Sequence, residues 1–398
     1  MSTHLQAITP ADIQDFQNAK VEAEIQQPKS SILWSHSPNI PDNYWDHSLN
    51  MDFLKALKEL IDNALNNRMD GATLTFVVQH FLDFDNNLTH IMFHDDGKGV
   101  DVGDLDELRG WIDLKSKKTE NQLSTHGVGM KHSLAAFDGT QGITWVASNH
   151  STAGYCSFDD ICHEMILYSD DRFWKQRPAN MQGTGMSACV NYSSSNLHVS
   201  KKVGDATTVM GQLGATYKHY LQSNQLKICF EWVSANDTTD THWIQPKTRP
   251  YVTKGKSEPI YNRTEIEATD KSWKILLTFG KNGNAGEITK VYPQMDASEI
   301  KHITGSKGRH PYSSTSKKSG MDIVEHDRVI ELNTNHILTE YDEESGEAKV
   351  DDKMGRNEYI GMGGEIVLVY GFETTETKEI KKNLAYRQMC NKVVEFLK

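Results

Sequence analysis

The stretch KELIDNALNNRMDG, residues 58–71, carries apolar residues at Leu60, Ile61, Ala64 and Leu65. With Leu57 just before it, these fall at the three-and-four spacing of an amphipathic helix, predicted over about 51–67. Glu59 and Asn63 are four apart, so they stand one above the other on one face of that helix. A carboxylate so placed can hold a water and take its proton. A carboxamide oxygen can hold a hard cation such as Mg2+. A solvated helix face would carry the same pair, so the helix alone leaves both readings open.

Outward from the helix, ATLTFVVQ at 72–79 and THIMFH at 89–94 read as strands. The second runs directly into Asp95-Asp96-Gly97-Lys98-Gly99. Glycines there let the backbone turn sharply and approach a ligand closely. An acidic residue at the strand end can accept from an exocyclic amine such as that of adenine. A plain strand-ending turn also favours Asp-Gly. Residues 101–126 are charged and loop-rich. His126-Gly127-Val128-Gly129-Met130-Lys131 then opens a helix. Its two glycines bare backbone N–H groups to an anion, the helix N-terminus adds a favourable field, and Lys131 adds a point charge. The GxxxxGK[ST] phosphate loop is missing. Gly183-Thr184-Gly185 stands just before a strand, where Thr184 offers one hydroxyl.

The chain has 398 residues, enough for two or three domains. Further strands are expected at 142–149, 162–168 and 185–191. The second half restarts with a helix at 210–222, strands at 225–233, 272–280, 321–332 and 364–372, and a helix within 384–398. The fold class is therefore α+β, with a polar arm and loop at 1–50, one domain at 51–198 and a second at 199–398. No apolar run approaches the roughly 20 residues that span a membrane, and the N-terminus lacks a signal pattern, so an intracellular protein is expected. The five cysteines are scattered and read as reduced thiols. Cys156, Cys162 and His163 come nearest to a metal pattern, with no second pair at zinc-like spacing. The formal net charge of −12 does not advertise non-specific affinity for nucleic acid. Lys115, Lys117, Lys118 and the 301–318 stretch are local basic candidates.

The order is E-x-x-D-N on a helix, D-x-G-x-G after a strand, a charged loop, G-x-G-x-K at a helix start, and Gly-Thr before a strand. It resembles the GHKL ATPases: type II topoisomerase ATPase subunits, heat-shock chaperones, histidine kinases, MutL and MORC proteins. The resemblance implies a Bergerat-type α/β sandwich, a mixed sheet with helices on one face, that binds Mg2+–ATP under a flexible lid. By matching position, Glu59 is implied as general base for the hydrolytic water and Asn63 as the Mg2+ ligand. Asp95 is implied as the adenine reader, with Gly97 and Gly99 shaping that wall and Asp62 hydrogen bonding near it. Residues 100–126 match the ATP lid, Gly127, Gly129 and Lys131 its phosphate-binding hinge, Lys117 a lid contact to the nucleotide, and Thr184 the last motif. Several family members carry Asp three residues after the Mg2+ ligand, where this chain has Asn66.

Glu59 also selects a branch. Histidine kinases typically have Asn at that position, whereas a base that activates water points to ATP hydrolysis. LKSKKTENQLSTHGVGMKHS, residues 114–133, resembles the MORC lid and hinge. SGMDIVEHDRVIEL and GFETTETKEIKKNLAYRQMCNKVVEFL resemble elements of the MORC ribosomal-S5-like transducer domain. By that match Lys378 takes the place of the transducer lysine that reaches the γ-phosphate, although Thr374 replaces the family's proline. Lys317, Lys318, Lys381 and Lys382 are rival lysines. The implied protein is a homodimer that closes on ATP as a clamp, with duplex DNA as its first candidate partner. Two alternatives stand: a chaperone-like ATPase with a protein client, and the ATPase subunit of a multi-gene DNA-processing or defence machine.

Overall fold

The computed structural model describes residues 52–99, 133, 143–149, 152–157, 165–168, 177–181, 183–191, 206–236, 238–304, 311–312, 320–349, 361–375 and 378–398. The described chain divides into two compact units, residues 1–205 with 224–244, and residues 206–223 with 245–398.

The first unit is built on an eight-stranded sheet. Its helix α1, Phe53–Asn66, is the expected one. Asp52 caps it by accepting from the Lys55 N–H at 2.8 Å, which satisfies a donor the helix itself leaves unpaired. Phe53, Ala56, Leu57, Leu60, Ile61, Ala64 and Leu65 form its buried stripe. At the far end the Asn67 N–H still bonds back to the Ala64 and Asn63 carbonyls. The strands are β1 (Leu74–Leu82), β2 (Leu88–Asp95), β3 (Ile143–Asn149), β4 (Thr152–Ser157), β5 (Met165–Tyr168), β6 (Met186–Asn191), β7 (Leu226–Ser234) and β8 (Thr239–Trp243). Their spatial order is β5-β4-β3-β6-β2-β1-β7-β8. β1 and β2 form a hairpin that sets Phe76 opposite Asp95 and Gln79 opposite Met92. Phe53 of α1 packs on His80 of β1, their ring centroids 6.4 Å apart. Because successive side chains alternate faces, Phe76, His80 and Asp95 lie on the α1 side of the sheet, and Val77, Gln79 and His94 on the other.

The domain boundary expected at 198/199 places all of 225–233 in the second domain. In the structure β7 pairs in parallel with β1 from Leu74↔Leu226 to Leu82↔Ser234, and β8 extends the same sheet. The reason is burial: β1 is buried on both faces, and a strand so placed is stabilised by hydrogen-bonded neighbours on both edges.

The second unit holds helices α2 (Ala206–Thr216) and α3 (Lys218–Gln222) and a five-stranded sheet. Its strands are β9 (Tyr261–Glu267), β10 (Lys274–Lys281), β11 (Met321–Glu325), β12 (Arg328–Thr334) and β13 (Met362–Tyr370), in the order β12-β11-β13-β10-β9. Helices α4 (Ala285–Val291) and α5 (Ala297–Thr304) enclose a small core of Val252, Ile288, Ile300 and Ile303. Helix α6, Leu384–Leu397, is capped by Asn383. It buries Tyr386, Met389, Cys390 and Val393 against Trp273, Ile275, Leu277, Phe279 and Ile366. The single strand expected at 321–332 is instead the β11–β12 hairpin, turned at His326 and Asp327 with φ of 47° and 61°.

A buried set of charges ties this unit together. Lys218 of α3 bonds Asp322 of β11 at 2.9 Å and Glu365 of β13 at 2.5 Å. Arg249 meets the other Asp322 oxygen at 2.9 Å, and the Tyr312 hydroxyl donates to Asp322 Oδ2 at 2.9 Å. Two cations face two carboxylates, so the set is neutral. Paired charges hold the Asp322 carboxyl down to about 2, against its burial, and hold the Lys218 ammonium well above its ordinary range.

Candidate functional site

Three of the four expected motifs converge in the first unit. Glu59 and Asn63 are half-buried on α1, and Asp62 between them is fully buried. The turn after β2 is fastened to the end of that helix, since the Lys98 N–H donates to the Asn67 carbonyl at 2.7 Å. A Cβ on Gly97 would stand 2.8 Å from that same carbonyl oxygen, so only glycine allows so close an approach. Gly99 takes the left-handed conformation, φ 68°. Asp96 plays a structural part: its Oδ1 accepts from the Thr75 N–H at 2.6 Å.

Asp95 ends β2 and is 7% exposed. Its Oδ1 accepts from the Gly97 N–H at 2.9 Å and from the Met186 N–H of β6 at 3.3 Å. Both of these hydrogen bonds fall on Oδ1. Burial raises the Asp95 carboxyl to about 6, and the two N–H groups with the Arg177 charge oppose that rise. With both of those N–H groups on Oδ1, Oδ2 is the carboxylate oxygen that a ligand's donor would meet.

Thr184 is half-buried in the turn before β6. Gly185 follows at φ 135°, where a Cβ would stand 2.0 Å from the Asp95 carbonyl oxygen. That proximity places the Gly-Thr-Gly turn against the end of β2.

Sequence reasoning missed Arg177. Its side chain is fully buried. Nε donates to the Met181 carbonyl at 2.7 Å, Nη1 to the Ser187 hydroxyl at 3.1 Å, and Nη2 to the carbonyls of Asp95 at 2.6 Å and Thr184 at 3.4 Å. Behind it a polar row crosses the far face of the sheet. Ser187 bonds His94 at 2.8 Å, His94 bonds Gln79 at 2.8 Å, and Gln79 donates to Glu231 at 2.7 Å. Burial, then the Arg177 charge, keep the His94 imidazole neutral.

Lys117, Gly127, Gly129 and Lys131 lie outside the described residues, as does the lid at 100–126. Lys378 belongs to the second unit. It is buried, in a turn with φ 57°. Burial raises the half-buried Glu325 carboxyl, and the charges of His326, Arg328 and Lys378, with a Thr374 hydrogen bond, oppose that rise. Lys381 and Lys382 are exposed, and Lys381 pairs with Glu373 at 2.9 Å. Among the described residues no cluster of three or more His, Cys, Asp or Glu is placed to hold a metal, and no helix is long and apolar enough to cross a membrane. Cys229 and Cys390 are free and buried.

Residues 51–168 match the family model described as "Histidine kinase-, DNA gyrase B-, and HSP90-like ATPase". No curated protein sequence matches the chain. Among solved structures it is similar to one titled "Crystal Structure of N terminal domain of a DNA repair protein". That structure is 11% identical, covers 89% of this chain and 98% of its own, and has a TM-score of 0.48.

Proposed function

We propose, from the premise that residues 51–168 form an ATPase domain of the histidine kinase, DNA gyrase B and HSP90-like family, that this protein hydrolyses Mg2+–ATP. The observation that supports the reading is that the end of α1, the Asp95–Gly99 turn and the Gly183–Gly185 turn meet at the end of β2, beside the Asp95 carboxylate. The residues fit the ligand. Oδ2 can accept from the 6-amino group of adenine, and the Asn63 oxygen suits a hard cation. Mg2+ bound there would neutralise phosphate charge. Glu59, on the same helix face as Asn63, orients a water and takes its proton as the γ-phosphoryl group leaves.

The direct test is Glu59→Gln. ATP turnover should fall by at least about a hundredfold, with ATP-analogue affinity within a few-fold of wild type. Turnover at the wild-type rate in the variant would overturn the role.

The finer reading is a dimeric clamp gated by ATP, with a ribosomal-S5-like transducer as second domain, Lys378 as its candidate γ-phosphate reporter and duplex DNA as its object. Its support is the MORC-like character of 114–133, 319–332 and 371–397. A γ-phosphate that orders one state of a two-state element provides the physics. Salt-resistant retention on closed circular DNA with a non-hydrolysable ATP analogue, absent on linear DNA, is the expected result. No retention under either condition would remove DNA from the proposal.

A further inference from the structure

Nothing in the reading above uses Arg177, yet it touches both walls of the site. One guanidinium nitrogen, Nη2, holds the Asp95 carbonyl at the end of β2 and the Thr184 carbonyl in the turn before β6. Gly185 lets those backbones lie that close: a side chain there would strike both the Asp95 carbonyl and Nη2 of Arg177, at 2.0 Å and 2.8 Å. Nε and Nη1 are anchored to Met181 and Ser187, and Ser187 is braced in turn by His94. The guanidinium is therefore fixed on several sides, and it adds a side-chain tether to an Asp95 backbone already paired with β1 and β6.

The protonation state of Asp95 decides which base it can read. Oδ1 already accepts two N–H groups, so an added proton goes to Oδ2. An ionised Oδ2 only accepts hydrogen bonds, which suits the 6-amino group of adenine and opposes the 6-oxo group of guanine. A protonated Oδ2 donates, and the preference inverts. Among the described residues, the charges that act on Asp95 are Arg177, which favours ionisation, and Asp96, which opposes it. α1 places Glu59 and Asp62 on the same side of the sheet.

We propose that Arg177 is the positioning residue of the base-reading wall: it clamps the end of β2 to the Thr184 turn and keeps Oδ2 of Asp95 a pure acceptor, so that the site selects a 6-amino over a 6-oxo purine. This rests on the nucleotide reading above.

The experiment compares wild type, Arg177→Met, Arg177→Lys and Asp95→Asn. Affinities for non-hydrolysable ATP and GTP analogues are measured from pH 5.5 to 8.5. The Asp95 carboxyl is followed in parallel by 13C NMR, with Asp95→Asn giving the assignment. In wild type, adenine-nucleotide affinity should fall as pH drops through about 6. In Arg177→Met the carboxyl should titrate about one unit or more higher, and the adenine-to-guanine preference at pH 7 should shrink several-fold, up to about tenfold. Arg177→Lys keeps the charge but loses the multi-point clamp. Its titration should stay near wild type while its ATP-analogue affinity falls about tenfold.

A folded Arg177→Met with unchanged carboxyl titration and unchanged purine preference would overturn the proposal. If that variant does not fold, Arg177→Lys decides, and wild-type affinity in it would overturn the clamp. If wild type binds neither nucleotide, the nucleotide reading and with it the purine selection fall, while the carboxyl titration still reports whether Arg177 governs Asp95.

Discussion

Asp95 and three buried histidines pull the acid stability of the first unit in opposite directions. Burial lowers the His80 and His90 imidazoles to about 4 and that of His94 well below its usual range. Each therefore takes up a proton on unfolding once the pH falls below about 6.5, and each costs stability as the pH drops. Asp95, raised to about 6, does the reverse: between about 4 and 6 it is protonated in the native state and ionised in the unfolded chain. The net expectation from these four groups is stability that falls from pH 6.5 toward 4 with a slope of about two protons. The slope should rise toward three in Asp95→Asn. Amide exchange of β1 and β2 measured at several pH values checks both, and a flat profile would contradict the histidine assignment. The candidate residues Glu59, Asn63, Asp95 and Thr184 stand out in the sequence because each belongs to a short motif of fixed spacing. Arg177 does not. Its partners are mostly backbone carbonyls, which any residue supplies, and Asp95 lies 82 residues away, so no spacing announces it.

Among elements, the joint between β2 and β6 is the most demanding. Gly185→Ala would force a Cβ to within 2.0 Å of a backbone oxygen at φ 135°, a clash no rotamer relieves. A loss of at least about 2 kcal/mol is expected, read as a lowered urea midpoint, with ATP-analogue affinity reduced because the Asp95 wall shifts. Gly183→Ala, with no atom near its Cβ position, should be close to neutral. The β11–β12 hairpin makes the opposite case. His326 and Asp327 occupy left-handed conformations that Asn-Gly fills with less strain. Replacing both with Asn-Gly should stabilise the second unit by about 0.5–1 kcal/mol. An unchanged midpoint would mean that the turn carries no strain. That hairpin escaped the sequence reading because His-Asp is a weak turn signal between two apolar runs, so MDIVEHDRVIEL looks like one strand. Helix α1 was plain because its apolar period spans four turns without interruption.

At the scale of the molecule, the neutral cluster of Lys218, Arg249, Asp322 and Glu365 fastens α3 to the five-stranded sheet. Lys218→Met leaves buried carboxylates short of a partner and should cost roughly 3–5 kcal/mol in the second unit. A Lys218→Met, Glu365→Leu pair should recover much of it. The depressed Asp322 and Glu365 carboxyls contribute fully above their unfolded values near 4. That contribution is lost as the pH falls toward 2, so acid unfolding of this unit should sharpen below pH 4. A two-unit chain was legible from the restart of the strand pattern near residue 200. The return of 224–244 to the first sheet was not, because an apolar strand does not say which sheet it joins. The same return sets an order of events during synthesis. Glu231 follows the Gln79 it bonds by 152 residues, which a ribosome takes roughly 8–30 s to add. For that interval β1 and β2 exist without their parallel neighbour, presenting a long apolar edge. The nascent chain should therefore depend on a holding chaperone, and a fragment released at residue 198 should aggregate where one released at residue 244 keeps its first sheet complete.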